Sequence, residues 1–152
     1  MAAAGRERPP IDWDSLTFSF TETDRMFVAN GSWEDGWSEG RMVDFQPLNL
    51  SPAACVLNYG QGLFEGMKAR RTPDGKITLF RPEMNARRAA EGARRLVMPE
   101  VSESMFIKAV KKVAEENKRW VPPHGKGELY LRPILFGSSA RLGVSPAEEY
   151  MF

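Results

Sequence analysis

The stretch Leu63–Phe80, LFEGMKARRTPDGKITLF, decides how this chain folds. Its centre is Thr72–Gly75, where Pro, Asp and Gly follow one another as they do in tight turns. The segments on either side, Leu63–Arg71 and Lys76–Phe80, are predicted as strands. The stretch therefore predicts a β-hairpin, the clearest one in the sequence.

Two strands and a short helix are predicted before this hairpin. Asp24–Ala29, followed by the turn residues Asn30-Gly31, is predicted to pair with Arg41–Phe45 across a loop rich in Trp and Gly. Ser51-Pro52 fits a helix N-cap followed by proline at the first helical position. A short helix should run from there toward Asn58 and end at the glycines behind it.

Two longer helices and a last strand are predicted after the hairpin. Pro82 opens a helix to about Val97, and Ser102 caps a second helix to about Arg119. Glu128–Phe136 is predicted as the final strand. The inward faces comprise Ala86, Ala89, Ala90, Ala93, Leu96 and Val97 on the first helix and Phe106, Val110, Val113 and Ala114 on the second. This order predicts an α+β domain, a mostly antiparallel sheet packed by two helices.

Composition and charge exclude several classes of function. The 152 residues allow one domain, and 42% hydrophobic residues exclude disorder for most of the chain. Lys+Arg 21 against Asp+Glu 20 argues against a nucleic-acid partner. No apolar stretch approaches the roughly 18 to 20 residues that cross a bilayer. The single Cys55 and single His124 predict neither an internal disulfide nor a metal site.

The first residues are predicted to be a loose end. Residues 1–11 are short, mixed in charge and poor in serine, unlike a transit peptide. We therefore expect a flexible N-terminus at 1–11, one folded unit at 12–152, and no recognisable targeting segment, which leaves the location cytoplasmic or unknown.

Polar residues on the first hairpin strand suggest an anion site. In a strand of period two, Phe64, Gly66 and Lys68 share one face, with a bare backbone between an aromatic ring and a cation. That face could receive an anionic ligand. An ordinary edge strand with a solvated lysine is the alternative.

The last predicted strand carries a second polar pair. Tyr130 and Arg132 share one face, and leucines fill the other. Together they could bind a carboxylate, although a solvated polar face fits the spacing equally well. Pro133 predicts an edge or bulged position for this strand.

Several motifs in the right order identify the family that this chain resembles. They are Leu16-Thr-Phe18, Thr23–Met26, Gly31–Trp33, Leu57–Ala69, Leu79–Pro82, Trp120–Pro122, Leu129–Pro133 and Leu142–Pro146. The chain resembles, over about Asp12–Phe152, the N-terminal part of branched-chain amino acid aminotransferases, which are pyridoxal-phosphate enzymes of fold type IV. The residues around Leu57 are closest to the plant type.

The resemblance implies a function and roles for single residues. The family moves the amino group of leucine, isoleucine or valine to 2-oxoglutarate with pyridoxal 5′-phosphate as cofactor. Arg88, which periodicity alone would turn toward solvent, matches the family's ligand for the cofactor phosphate. The positions that match the substrate pocket are Phe18, Tyr59, Phe64, Lys68, Tyr130 and Arg132. Leu142 and Val144 match a loop that reaches into the partner subunit's pocket, which implies a homodimer.

The resemblance also implies that the chain is inactive by itself and that it binds the cofactor weakly or not at all when alone. In the family the Schiff-base lysine lies in a second, larger domain, and no lysine here stands in its context, so no catalytic residue is assigned. The sequence is interpreted as a truncated N-terminal portion, the small domain. One alternative is a non-catalytic product that binds a full-length subunit through the dimer face. Another is a different fold type IV enzyme, such as a D-amino acid aminotransferase or an aminodeoxychorismate lyase, against which the motifs Leu129–Arg132 and Leu142–Val144 argue.

Overall fold

The computed structural model of the protein describes residues 10–17 and 19–152. Its strands, in chain order, are β1 (Arg25–Val28), β2 (Asn30–Ser32), β3 (Gly36–Trp37), β4 (Arg41–Asp44), β5 (Gly62–Phe64), β6 (Met67–Arg71), β7 (Ile77–Leu79), β8 (Leu129–Leu131), β9 (Ile134–Gly137) and β10 (Glu149–Met151). Its helices are α1 (Cys55–Tyr59), α2 (Pro82–Arg95) and α3 (Glu103–Glu116), and a 3-10 turn follows at Lys118–Trp120.

The strands of the described part form three sheets in which neighbouring strands run antiparallel. β1 pairs with β4, a five-stranded sheet has the order β3-β2-β10-β9-β5, and a three-stranded sheet has the order β7-β6-β8. α2 and α3 pack together and against these sheets. The predicted α+β class is confirmed.

The predicted hairpin is confirmed at its turn but not along its whole first strand. β6 pairs with β7 from Arg71 opposite Ile77, and the Gly75 amide donates to the Thr72 carbonyl at 2.9 Å. Leu63–Arg71 is not one strand, however, because β5 ends before Glu65 and β6 begins after Gly66 in a different sheet. The edge-strand alternative is wrong for β6, which carries Lys68 and is the central strand of its sheet, but β5, which carries Phe64, is an edge strand.

Glu128–Phe136 is likewise two strands. β8 pairs with β6 and β9 pairs with β5, and the chain changes sheets at Arg132-Pro133, where proline supplies no amide hydrogen for a ladder. The two breaks face each other, since the Glu65 amide donates to the Pro133 carbonyl at 2.8 Å. This segment is also not the last strand, because β10 follows it and pairs with β9 and β2.

The strand pairing predicted near the N-terminus is confirmed, but the predicted turn and the predicted helix N-cap in this region are wrong. β1 and β4 pair as expected, with Arg25 opposite Asp44. Asn30-Gly31 is not a turn but the start of β2, because β10 and β3 pair with it from both sides. α1 begins at Cys55 with Ala54 as its N-cap, since the Ser51 hydroxyl accepts from the Ala53 amide and closes a turn instead.

Both long helices begin where the sequence predicts. Pro82 lies at the first turn of α2, and the Ser102 hydroxyl accepts from the Met105 amide at the start of α3. Most of the predicted inward residues of α2 and α3 are buried or packed against the core. Leu96 and Val97 are exposed, because α2 ends at Arg95 and the chain turns away there, with Val97 at a positive φ of 52°.

The core lies between the helices and the two larger sheets. Its largest fully buried side chains include Tyr150, Phe106, Met98 and Leu135. No helix among the described residues combines the length and the apolar character that a membrane crossing needs.

A fully buried asparagine links α3 to β1. The Asn117 side chain accepts from the amides of Asp24 and Arg25 and donates to the carbonyls of Arg25 and Val113, all within 3.0 Å. Buried polar groups that lose their partners are costly. Asn117 therefore fixes where the chain enters its first strand.

We expect Asn117→Ala to lower the free energy of unfolding by about 2 to 4 kcal/mol, because it removes the side-chain partner of two partly buried amides and of the Arg25 carbonyl, while the Val113 carbonyl keeps its bond from the residue 117 amide. Asn58→Ala is the matched control, since Asn58 is exposed and donates only to the carbonyls of Pro52 and Ala54. It should cost less than about 1 kcal/mol. Urea denaturation measures both, and equal losses would contradict the assignment.

Candidate functional site

A buried carboxylate lies at the paired breaks. Glu65, between β5 and β6, has only 4% of its surface exposed. Its Oε1 accepts from Arg88 Nε at 2.7 Å, its Oε2 accepts from Arg88 Nη2 at 2.5 Å, and Asn85 Nδ2 donates to Oε2 at 2.8 Å. Arg88 and Asn85 lie on α2, so these bonds join the helix to the break.

These partners keep Glu65 ionised. Burial raises the pKa of the Glu65 carboxyl, but the hydrogen bonds from Arg88 and Asn85, and the charge of Arg88, outweigh burial and leave that pKa below its ordinary value. The same contact raises the pKa of Arg88. Arg88 is otherwise open to solvent, with 70% of its side chain exposed.

Arg88 therefore has room for a second anion. A guanidinium carries five N–H donors, and Glu65 uses two of them on the edge formed by Nε and Nη2. The edge formed by Nη1 and the other N–H of Nη2 faces away from the carboxylate. Planar, paired donors of this kind suit phosphate and carboxylate oxygens.

Beside the break, Arg132 lies between two aromatic rings. Its Cζ is 4.4 Å from the centroid of the Phe64 ring and 5.1 Å from that of Tyr130, and its Nη2 donates to the Tyr130 hydroxyl at 3.2 Å. That hydroxyl lies over Gly66, where a Cβ atom would overlap it. The three side chains form one exposed group of two rings and a cation, which could receive an apolar ligand that carries a carboxylate.

Lys68 is paired rather than free. Its Nζ lies 2.9 Å from Oε2 of Glu128, and Nη2 of Arg70 lies 2.7 Å from the other oxygen of that carboxylate. The hydrogen bond from Lys68 lowers the pKa of Glu128 and outweighs its slight burial. The two cations share one carboxylate, so one positive charge is left uncompensated.

The other predicted site residues make no polar or ring contact with this group in the described part of the chain. Phe18 lies outside the described residues. Tyr59 ends α1 and is exposed, and Leu142 and Val144 lie on the loop before β10, where Val144 is 98% exposed. Within the described ranges, no hydrogen bond, ion pair or ring contact joins Tyr59, Leu142 or Val144 to Arg88, Phe64, Tyr130 or Arg132.

Sequence reasoning missed Glu65 and Asn85. In period two, Glu65 falls on the same face as Leu63 and Met67, which is the apolar face of the predicted strand. A carboxylate on an inward face needs a buried cationic partner. That signal, read together with an arginine on the helix that covers the sheet, could have predicted the Glu65–Arg88 pair.

Comparison with known proteins gives a consistent set of relatives. The chain is 52% identical over 146 residues to branched-chain amino acid aminotransferase 2, chloroplastic, of Humulus lupulus. It is 51% identical over 146 residues to branched-chain-amino-acid aminotransferase 1, mitochondrial, of Arabidopsis thaliana, and 51% identical over 142 residues to a methionine aminotransferase of that plant. These alignments cover 93 to 96% of the chain and 36 to 40% of each relative. No sequence model of a protein family matches the chain.

Solved structures have the same fold. The branched-chain aminotransferase of Thermoproteus uzoniensis with norvaline matches with a TM-score of 0.62 and 22% identity over 84% of this chain and 39% of that one. The branched-chain amino acid aminotransferase of Thermobaculum terrenum in its PLP-form gives a TM-score of 0.58 and 15% identity over 86% of this chain and 39% of that one. At this identity the likeness concerns the fold.

The lowered pKa of Glu65 predicts a pH-dependent stability. The unfolded chain binds the Glu65 proton near the ordinary pKa of 4.5, and the folded chain binds it only at lower pH. The stabilisation is therefore complete above pH 4.5 and is lost as the pH falls through the folded-state pKa. Thermal melts from pH 7 to pH 3 should show a flatter loss of stability for Glu65→Gln than for the unchanged chain.

Glu103→Gln is the control for this measurement. It removes the exposed carboxylate that pairs with Arg87 at 3.0 Å, a contact that water screens. We expect it to retain the acid sensitivity of the unchanged chain. A Glu65→Gln variant that is equally acid-sensitive would show that the carboxylate does not contribute.

Proposed function

Because nearly the whole chain is similar to the N-terminal part of plant branched-chain aminotransferases, we propose that it serves as the small domain of such an enzyme. In this proposal residues 12–152 form the small domain, and the substrates are leucine, isoleucine or valine and 2-oxoglutarate. The chain spans less than half of its relatives, so the Schiff-base lysine would come from a further domain. In the structure, the proposal rests on the exposed edge of the Arg88 guanidinium that Glu65 does not occupy.

Arg88 is the proposed ligand of the phosphate group of pyridoxal 5′-phosphate. The residues fit that group, since the exposed guanidinium keeps paired donors free while its other edge is fixed by Glu65. The cofactor, when bound, supplies the electron sink that amino transfer requires. Arg88 would anchor it at the phosphate, away from the reacting carbon.

The group of Phe64, Tyr130 and Arg132 is the proposed substrate surface. Two rings offer apolar area to an aliphatic side chain, and Arg132 keeps donors for a carboxylate of an amino or oxo acid. Lys68, held by Glu128, would border this surface and add to its positive charge. Tyr59 and Phe18 are assigned to the same pocket by the resemblance alone.

A homodimer would complete the pocket. Leu142 and Val144 project from a loop with little of their surface covered, as residues that insert into a partner subunit would. The same surface supports the second candidate function, a product without chemistry that binds a full-length subunit. The relatives include both chloroplastic and mitochondrial proteins, and one is named a methionine aminotransferase. They leave the compartment and the preferred side chain open.

In a hybrid that joins this chain to the C-terminal part of the Humulus lupulus relative, we expect Arg88→Ala to weaken retention of pyridoxal 5′-phosphate about ten- to a hundredfold. The loss of a charge-assisted contact has this magnitude. Arg87→Ala is the matched control. The Arg87 guanidinium comes from the residue next to Arg88 on α2, but it pairs with the exposed Glu103 of α3. Dialysis followed by cofactor absorbance measures retention, and equal losses in both variants would refute the role of Arg88.

A polypeptide of these 152 residues alone should have no transaminase activity. Amino transfer needs a lysine amine that holds the cofactor and moves the proton of the substrate α carbon. Lys68 is the lysine that borders the proposed substrate surface, but it pairs with Glu128. The assay uses leucine, 2-oxoglutarate and added pyridoxal 5′-phosphate. Turnover above free cofactor, together with a one-to-one covalent adduct lost in Lys68→Ala, would make the short chain an enzyme by itself.

A further inference from the structure

Glu65 carries a buried negative charge, and the proposed function gives it no contact with a ligand. It is one of two buried polar or charged residues in the described part of the chain, and the other, Asn117, lies at the far end of α3. Asn85 holds Oε2 from one side while donating to the Gly66 carbonyl as well, at 3.2 Å. The carboxylate therefore has a fixed place and a fixed orientation.

A fixed carboxylate fixes the arginine that it pairs with. Arg88 is long and exposed, and without a partner its guanidinium would sample many positions. Two parallel hydrogen bonds to Glu65, at 2.7 and 2.5 Å, restrict it to one plane and leave its second edge pointing away from the carboxylate. Arg87, next to it, has one such bond, to an exposed glutamate.

We propose that Glu65 is a positioning residue, which sets the plane and direction in which Arg88 offers its free edge to the cofactor phosphate. This inference rests on the proposed function of Arg88. Glu65 does not touch the phosphate itself. It acts through Arg88, and Asn85 in turn holds Glu65.

A carboxylate near a phosphate also has an opposing effect, since like charges repel. The phosphate would lie beyond the guanidinium, on its exposed side, where solvent and salt screen the repulsion. The guanidinium lies between the two anions and attracts both. Ordering a free arginine on binding has a substantial entropic cost, which Glu65 removes in advance. We therefore expect positioning to exceed repulsion and Glu65 to strengthen phosphate binding.

The test measures binding of pyridoxamine 5′-phosphate at pH 7 to the hybrid in which this chain is joined to the C-terminal part of the Humulus lupulus relative. This probe has an amine in place of the aldehyde, so it cannot form an imine with a lysine. Titrations followed by NMR of the arginine Nε–H groups report on Arg88 directly. Glu65→Gln should raise the dissociation constant about tenfold, and Glu103→Gln, which frees Arg87 in the same way, should leave it unchanged.

A second readout separates positioning from a general loss of structure. Without ligand, the Arg88 Nε–H should exchange slowly with water in the unchanged chain and in Glu103→Gln, and rapidly in Glu65→Gln. In an Arg88→Ala background, adding Glu65→Gln should have no further effect on binding, because no guanidinium remains to be positioned. If Glu65→Gln does not fold, Glu65→Asp is tested in its place. The aspartate side chain is one methylene shorter, so its carboxylate cannot make the two hydrogen bonds to Arg88.

The outcomes distinguish this inference from the proposed function. If Arg88→Ala binds the probe as well as the unchanged chain, the proposed phosphate ligand is wrong. If Arg88→Ala loses binding while Glu65→Gln and Glu65→Asp bind normally or more tightly, only the positioning role is overturned. A similar loss from Glu65→Gln with and without Arg88 would also overturn it, because the effect would then not act through the arginine.

Discussion

The fold depends on one ionised carboxylate that lies away from water. An uncompensated buried carboxylate costs several kcal/mol, so Glu65 is compatible with the native state only while Arg88 and Asn85 satisfy it. Both partners lie on α2. The angle at which this helix crosses the sheets is therefore restricted by hydrogen bonds as well as by the small residues that it packs inward.

The paired breaks explain why the carboxylate is where it is. A continuous strand through Glu65 and Gly66 would use their backbone in one ladder, and Pro133 on the neighbouring segment cannot donate to such a ladder. The single bond from the Glu65 amide to the Pro133 carbonyl joins the two segments where they change sheets. The backbone interruption leaves space that Tyr130 fills above Gly66 and that Asn85 fills from the helix.

Most features that depend on near neighbours are predicted from the sequence, although the N-cap expected at Ser51 is not, and most features that depend on distant segments are missed. The turn at Thr72–Gly75, the proline at the start of α2 and the cap at Ser102 are local features, and all three predictions are confirmed. The breaks at Glu65 and Pro133 are set by pairing between segments far apart in the chain, so alternation alone extended both strands too far. For the same reason Asn30-Gly31 is predicted as a turn. This segment becomes a strand because β10 and β3 pair with it, and the local sequence does not show that pairing.

For the proposed site, the sequence nominates several residues but neither their pairing nor the buried Glu65 and its partner Asn85. Motif resemblance selects Arg88, Tyr130 and Arg132, yet periodicity gives no reason for Arg88 to differ from any exposed arginine. The structure supplies that reason, because among the arginines of the described part Arg88 has the bidentate pair to a carboxylate that is itself buried. The charged side chains around the break indicate which ligands the proposed site can attract. Lys68, Arg70, Arg88 and Arg132 are four cations, and Glu65 and Glu128 are two carboxylates, which leaves a surplus of two positive charges. The chain as a whole has a net charge of only +1, so this surplus is local. A surface of this kind favours dianions, such as phosphate esters and dicarboxylic acids, over neutral ligands.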